Sequence, residues 1–119
     1  MRDELRDDSA RIFDRDDLLA RLGGDEQMLE AIVRVFLEDA TAQLSGLRDA
    51  VRSRDPKVVR LRAHGLKGAA ANLAAEPLRS ASLALEQAGV SQDISSMSHL
   101  LVEVERELGL LCGVLKKLI

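Results

Sequence analysis

The sequence predicts an all-α fold, an up-down-up-down antiparallel four-helix bundle with a short additional helix at its N-terminal end. Apolar residues recur at three- and four-residue steps along almost the whole chain. No stretch alternates apolar and polar residues over the length of a strand between turn signals. The breaks in the pattern fall at Asp, Pro and Gly, the residues that start and stop helices. A chain of 119 residues has the length of one domain, and with 46% hydrophobic residues it can fill one core without staples.

Residues 1–13 are charged and aperiodic and are expected to form a poorly ordered lead-in, with the bundle domain spanning residues 14–119. Asp14 caps a short first helix, Leu18, Leu19 and Leu22 are its apolar side, and Gly23 and Gly24 stop it. Asp25 caps the second helix, whose stripe is Leu29, Ile32, Val33, Phe36, Ala40, Leu44, Leu47 and Val51 and which is expected to run to about Arg54. Asp55 and Pro56 then supply a cap and a first-turn proline for the third helix, with Val59, Ala63, Leu66, Ala70 and Leu73 facing inward. Pro77 opens the fourth, which buries Leu78, Ala81, Leu85 and Ala88 and is expected to end at Gly89. In the last helix Ile94, Met97, Leu101, Val104, Leu108, Leu111, Leu115 and Leu118 step by three and four without a break. Short connections make neighbouring helices antiparallel.

Composition removes several classes of function. Cys112 is the single cysteine, so there is neither a disulfide framework nor a paired Cys/His spacing for zinc. Met1 to Asp8 is charged where a signal peptide needs an apolar core, and no window approaches a membrane span, so a cytoplasmic protein without membrane insertion is expected. Trp and Tyr are absent and only Phe13 and Phe36 are aromatic, which leaves no platform for stacking nucleic-acid bases. Neither a Walker-type phosphate loop nor a G-x-G-x-x-G turn is present, so no ATP site is expected.

One residue does not fit a plain bundle. On a wheel of about 100° per residue, His64 lies nearly opposite the apolar stripe of the third helix and should face water. Around it on the same face are Arg60 and Leu61 one turn before, Lys67 and Gly68 one turn after, and Ala71 two turns after. A glycine inside a helix costs about 1 kcal/mol relative to alanine, and Gly65 and Gly68 both sit mid-helix. Gly68 leaves the imidazole uncovered, so that another protein can approach the ring. An exposed imidazole is a nucleophile near neutral pH and can accept a phosphoryl group. Lys67 is placed to offset the phosphoryl charge. From Arg52 to Lys67 there are six basic residues and one acid, Asp55, on a chain whose net charge is −3, a stripe that would attract an acidic partner site. The bland counterpart is that a lone exposed histidine is ordinarily a surface residue and a basic stripe a solvated face; the glycines and the lysine weigh against it.

The run Ala63-His64-Gly65-Leu66-Lys67-Gly68-Ala69-Ala70-Ala71-Asn72-Leu73, with Leu78, Ala81, Leu85-Glu86 and Ala88 after it, resembles the signature of histidine-containing phosphotransfer (HPt) domains. Leu22-Gly23-Gly24-Asp25 and Phe36-Leu37-Glu38-Asp39 are similar to the segments that precede the histidine in that family, so the likeness covers roughly residues 14–118. It implies a phosphocarrier in a multistep phosphorelay. His64 would take a phosphoryl group from a receiver-domain phospho-aspartate and pass it to another receiver aspartate, with Lys67 steadying the phosphoryl group and Gly68 keeping the histidine accessible. The partners implied are receiver domains of response regulators or of a hybrid histidine kinase, with Arg60, Leu61 and Ala71 in the docking surface. No cofactor is implied on this chain; magnesium would belong to the receiver. A monomer without autonomous kinase activity is expected, and the initial Met with no second domain favours a free-standing carrier. Two positions depart from the family: Gly65 stands where Ser or Thr is frequent, and Ala74 where glycine is frequent.

Two alternatives stand beside this reading. A non-catalytic binding module could use the His64 face only to dock a signalling partner, although Lys67 and Gly68 are what transfer would need. A metal or haem bundle would need several inward His or Glu ligands, which the stripes lack. His99 reads as an ordinary surface residue, Cys112 as a small packed one, and Met28 and Met97 as core or core-edge residues.

Overall fold

The computed structural model describes residues 11–119, which form helices α1 (Arg15–Arg21), α2 (Glu26–Arg52), α3 (Pro56–Asn72), α4 (Glu76–Ser91) and α5 (Ile94–Lys116), with no strand among them. The expected caps are in place. Asp14, Asp25 and Asp55 each accept a hydrogen bond from the backbone N–H three residues on, at 3.0, 3.0 and 3.3 Å, satisfying a donor that the first turn leaves free. Gly23 and Gly24 take φ of +66° and +81°, the left-handed conformation that stops α1.

Two helix ends differ from expectation. Arg54 has φ +54°, and the N–H of Asp55 returns to the Ala50 carbonyl at 3.2 Å, so α2 stops at Arg52 rather than near Arg54. Gly89 does not end α4: the helix continues to Ser91 and closes on Gln92, which is left-handed at φ +58°. Gly89 is instead a buried contact with α3. A Cβ there would lie 2.8 Å from the Pro56 carbonyl oxygen and 2.9 Å from the Arg60 nitrogen, so only glycine lets the two backbones approach this closely. In the α3–α4 turn Ala74 sits at φ +57°, a conformation that disfavours any side chain, at the position where the likeness noted above has glycine. The Ala75 N–H to Ala70 carbonyl bond of 2.9 Å closes that turn.

The four longer helices pack in a ring, α2 on α3, α3 on α4, α4 on α5 and α5 back on α2, and the contact between α3 and α4 is the most extensive. Short helix α1 closes one end: the Asp14 N–H donates to the Ala74 carbonyl, and Arg21 donates to the Ala71 carbonyl, both at 3.0 Å. The predicted α3 stripe, Val59, Ala63, Leu66, Ala70 and Leu73, is fully buried. From α2, Leu29, Val33, Phe36, Ala40, Leu47 and Val51 join the core; α5 adds Met97, Leu101, Val104, Leu108, Leu111 and Leu115. Ile32, Leu44, Ala81, Ile94 and Leu118 are half-buried against it. Ser82 is buried on α4 with no partner for its hydroxyl among the described residues, a polar group the apolar pattern did not place inside. Met28, expected at the core or its edge, is half exposed near the start of α2. Three residues counted in the lead-in belong to the folded part: Arg11 and Ile12 are helical, Ile12 is half-buried against the core and Phe13 is buried in it, while residues 1–10 lie outside the described residues.

Candidate functional site

His64 projects from the middle of α3 because Ala63 and Leu66 on either side are drawn fully into the core, which turns position 64 outward. Its side chain is 65% exposed. Gly65 and Gly68 are exposed beside it, and a Cβ at either would meet nothing within 4 Å. Among the described residues nothing in the packing requires them. Both expectations for this face, an exposed ring and open space around it, agree with the geometry.

The ring is not isolated, however. Nδ1 of His64 lies 2.6 Å from Glu86 Oε2 on α4, and Nζ of Lys67 lies 2.7 Å from Glu86 Oε1. One carboxylate thus bridges the histidine and the lysine. Glu86 is only 14% exposed, and Lys67 is partly covered. The Lys67 ammonium above all, and the His64 ring after it, hold the Glu86 carboxyl below the usual glutamate range, against the opposing effect of burial. At neutral pH Glu86 is therefore ionised and accepts hydrogen bonds only. Among the described residues no group bonds Nε2, the other ring nitrogen.

The docking residues expected from the sequence fall on the same side. Leu61 is 60% exposed, Arg60 is exposed next to the Gly89 crossing, and Ala71 is half-buried with its carbonyl taken by Arg21. The basic stripe is less uniform than its sequence implies. Lys67 is paired with Glu86, Arg52 lies 3.4 Å from Asp49, and the Arg62 guanidinium rests over Gly46 of α2, where it would crowd a Cβ. His99 is exposed, and Cys112 is half-buried, which pushes its thiol up from the usual value. Among the described residues no group of three or more His, Cys, Asp or Glu could hold a metal ion, and no helix is long and apolar enough to cross a membrane.

In the sequence Glu86 enters only as part of the family likeness and is given no chemical task, although it is the only charged residue in the second half of α4. Its place follows from the hairpin. His64 lies ten residues before Ala74 and Glu86 twelve after it, so two antiparallel helices joined at that turn bring them level.

A bundle whose central helix presents one uncovered histidine, backed by a lysine and a carboxylate, defines a class of protein that carries a reactive group on a helix face for a partner to reach. The particular family follows from comparison: the Hpt domain model matches residues 31–113, and the chain belongs to that family. The crystal structure of histidine-containing phosphotransfer protein B (HptB) from Pseudomonas aeruginosa PAO1 superposes with a TM-score of 0.84 at 23% identity, covering 91% of this chain and 94% of that one, so the fold is the same. Comparison with curated protein sequences gives no match. The chain is a phosphorelay phosphocarrier, of a family that exchanges phosphoryl groups with receiver domains and has no kinase activity of its own.

Proposed function

We propose that His64 is the phosphoacceptor, taking the phosphoryl group on Nε2 from the phospho-aspartate of one receiver domain and passing it to the aspartate of another. The observation that carries this is the 65% exposure of the His64 side chain, with Nε2 unbonded among the described residues and open space at Gly65 and Gly68. Lys67 is the cation that offsets the phosphoryl charge, and Gly68 keeps the approach clear. The bundle face offers an imidazole and a lysine, so most of the rate enhancement comes from the receiver, which also brings the magnesium; this chain carries no cofactor. Receivers of response regulators or of a hybrid histidine kinase dock over Arg60, Leu61 and Ala71, on a monomeric carrier in the cytoplasm.

The test is intact-mass analysis after mixing the protein with receiver domains charged with acetyl phosphate. An acid-labile increment of one phosphoryl group in the wild type, absent from His64→Gln, is the expected outcome. An adduct that persists in His64→Gln places the acceptor elsewhere. No adduct from a complete and active panel of host receivers ends the carrier role for this face.

A further inference from the structure

The cations around His64 are not equally free. Lys67 is 26% exposed and its ammonium lies 2.7 Å from the ionised Glu86 carboxylate, so that pair presents no net charge to the ring. Arg60, one turn before His64 on the same face, is exposed, and among the described residues its guanidinium has no hydrogen bond or ion pair. It lines an open cleft with Lys57, Gly89 and Val90; the acid in that cleft, Asp55, has its carboxylate on the Val58 N–H at 3.3 Å. Helical side chains lean toward the N-terminus, so the His64 ring lies over the turn that Arg60 begins, and Lys67 leans back toward the ring. We propose that Arg60 binds the phosphoryl group carried on His64, from the N-terminal side of the ring and opposite Lys67. This rests on His64 being the phosphoacceptor.

In transfer, Nε2 forms the N–P bond as the P–O bond to the receiver aspartate breaks, and that electron pair leaves with the aspartate carboxylate. The group that arrives brings about two negative charges near neutral pH. Facing it are the Lys67–Glu86 pair, neutral in sum, and one unpaired guanidinium, so Arg60 supplies the net positive charge within a turn of the ring. Arginine suits this task. Its planar fork donates two parallel hydrogen bonds to phosphoryl oxygens, it stays charged at any working pH, and it is less strongly hydrated than an ammonium. The Arg60 nitrogen would stand 2.9 Å from a Cβ on Gly89, so its backbone is held at the crossing of α3 and α4. A change of rotamer carries the fork from the cleft to the phosphoryl group with that backbone in place. A residue that only docks the receiver alters how fast the phosphoryl group moves in both directions. One that binds the group itself alters where it rests.

Two readouts test this in a His99→Gln background, which leaves His64 as the single histidine. The first needs no partner: the chain is phosphorylated with phosphoramidate and the phosphoryl group is titrated by ³¹P NMR. A contacting cation favours the doubly charged group, so Arg60→Gln is expected to raise the titration midpoint by about half a pH unit, with Arg60→Lys between the two. Lys57→Gln removes the same charge two turns from the ring and is expected to move the midpoint far less. The second readout is the equilibrium partition of phosphoryl between this chain and a charged receiver, which is expected to shift about threefold toward the receiver in Arg60→Gln. An unchanged midpoint and an unchanged partition in Arg60→Gln overturn the proposal and leave His64 as the acceptor. Equal shifts in Lys57→Gln and Arg60→Gln also overturn it, since the effect would then belong to the overall field and not to a contact. If active receivers donate nothing to a His64 that phosphoramidate does modify, the acceptor assignment falls, and the role of Arg60 in transfer with it.

Discussion

The two sides of α3 use glycine in opposite ways. Toward α4, Gly89 lets backbone meet backbone, with the Pro56 carbonyl and the Arg60 nitrogen under 3 Å from where its Cβ would stand. Toward solvent, Gly65 and Gly68 have nothing within 4 Å of the same point. The first absence of a side chain is demanded by the chain's own packing. The second costs helix stability and returns none of it within the molecule, which is the mark of a surface shaped for something outside it. Polar groups divide differently: the core side of α3 is wholly apolar, while on its exposed side His64 and Lys67 share the Glu86 carboxylate of α4.

The comparison breaks most readily at the α3–α4 crossing. Gly89→Val puts three carbons against backbone atoms, which cannot rotate aside as a side chain would. The unfolding free energy is expected to fall by about 3 kcal/mol, the upper part of the range for overpacked sites. Chemical denaturation with an unchanged m-value would establish it. A loss below about 1 kcal/mol would mean that α3 and α4 move apart at little cost, and that Gly89 is as unconstrained as Gly68.

That crossing also marks where sequence reading stops. Helices α1 to α5, three of their caps and the whole inward stripe of α3 follow from local signals, namely Asp before a helix, Pro in its first turn and a period near 3.6. Gly89 reads as a stop signal because a glycine near a helix end usually is one; its physical reason is the backbone of another helix, which no local pattern contains. Met28 carries an apolar side chain in the first turn of α2, where half of it stays exposed although its type suggests the core. At the site, His64, Lys67 and Gly68 stand within five residues of one another and their shared face follows from helical geometry alone. Glu86 is brought to them by the fold, through the pairing of α3 with α4 across the turn at Ala74.

The outer glycines sharpen the contrast. Gly68→Ala fills open space and improves helix propensity, so stability should rise by about 0.5 to 1 kcal/mol. Gly68→Gln should hold stability near the wild-type value but lower transfer from a charged receiver about tenfold or more, equivalent to 1.4 kcal/mol or more. Thermal denaturation beside a transfer assay separates the two. If Gly68→Gln transfers at the wild-type rate, the open space at Gly68 is not part of the docking path.

The smallest expected effect concerns what holds each side. Contact across Gly89 involves no titrating group, so its contribution should not change with pH. The Glu86 bridge should. Its carboxyl is held below the usual range in the folded state, chiefly by Lys67, so its contribution is fully present above the unfolded glutamate value of about 4.3 and is lost as pH falls through the lower folded value. The bridge lies at the surface beside a histidine that is mostly exposed, so the gain is small, under about 1 kcal/mol. Denaturation midpoints of wild type and Glu86→Gln should therefore differ slightly at pH 7 and converge in acid below that window, while the deficit of Gly89→Val stays constant. A Glu86→Gln deficit that persists undiminished in acid would show that Glu86 supports the fold through packing, and that charge is not what distinguishes the outer side of α3.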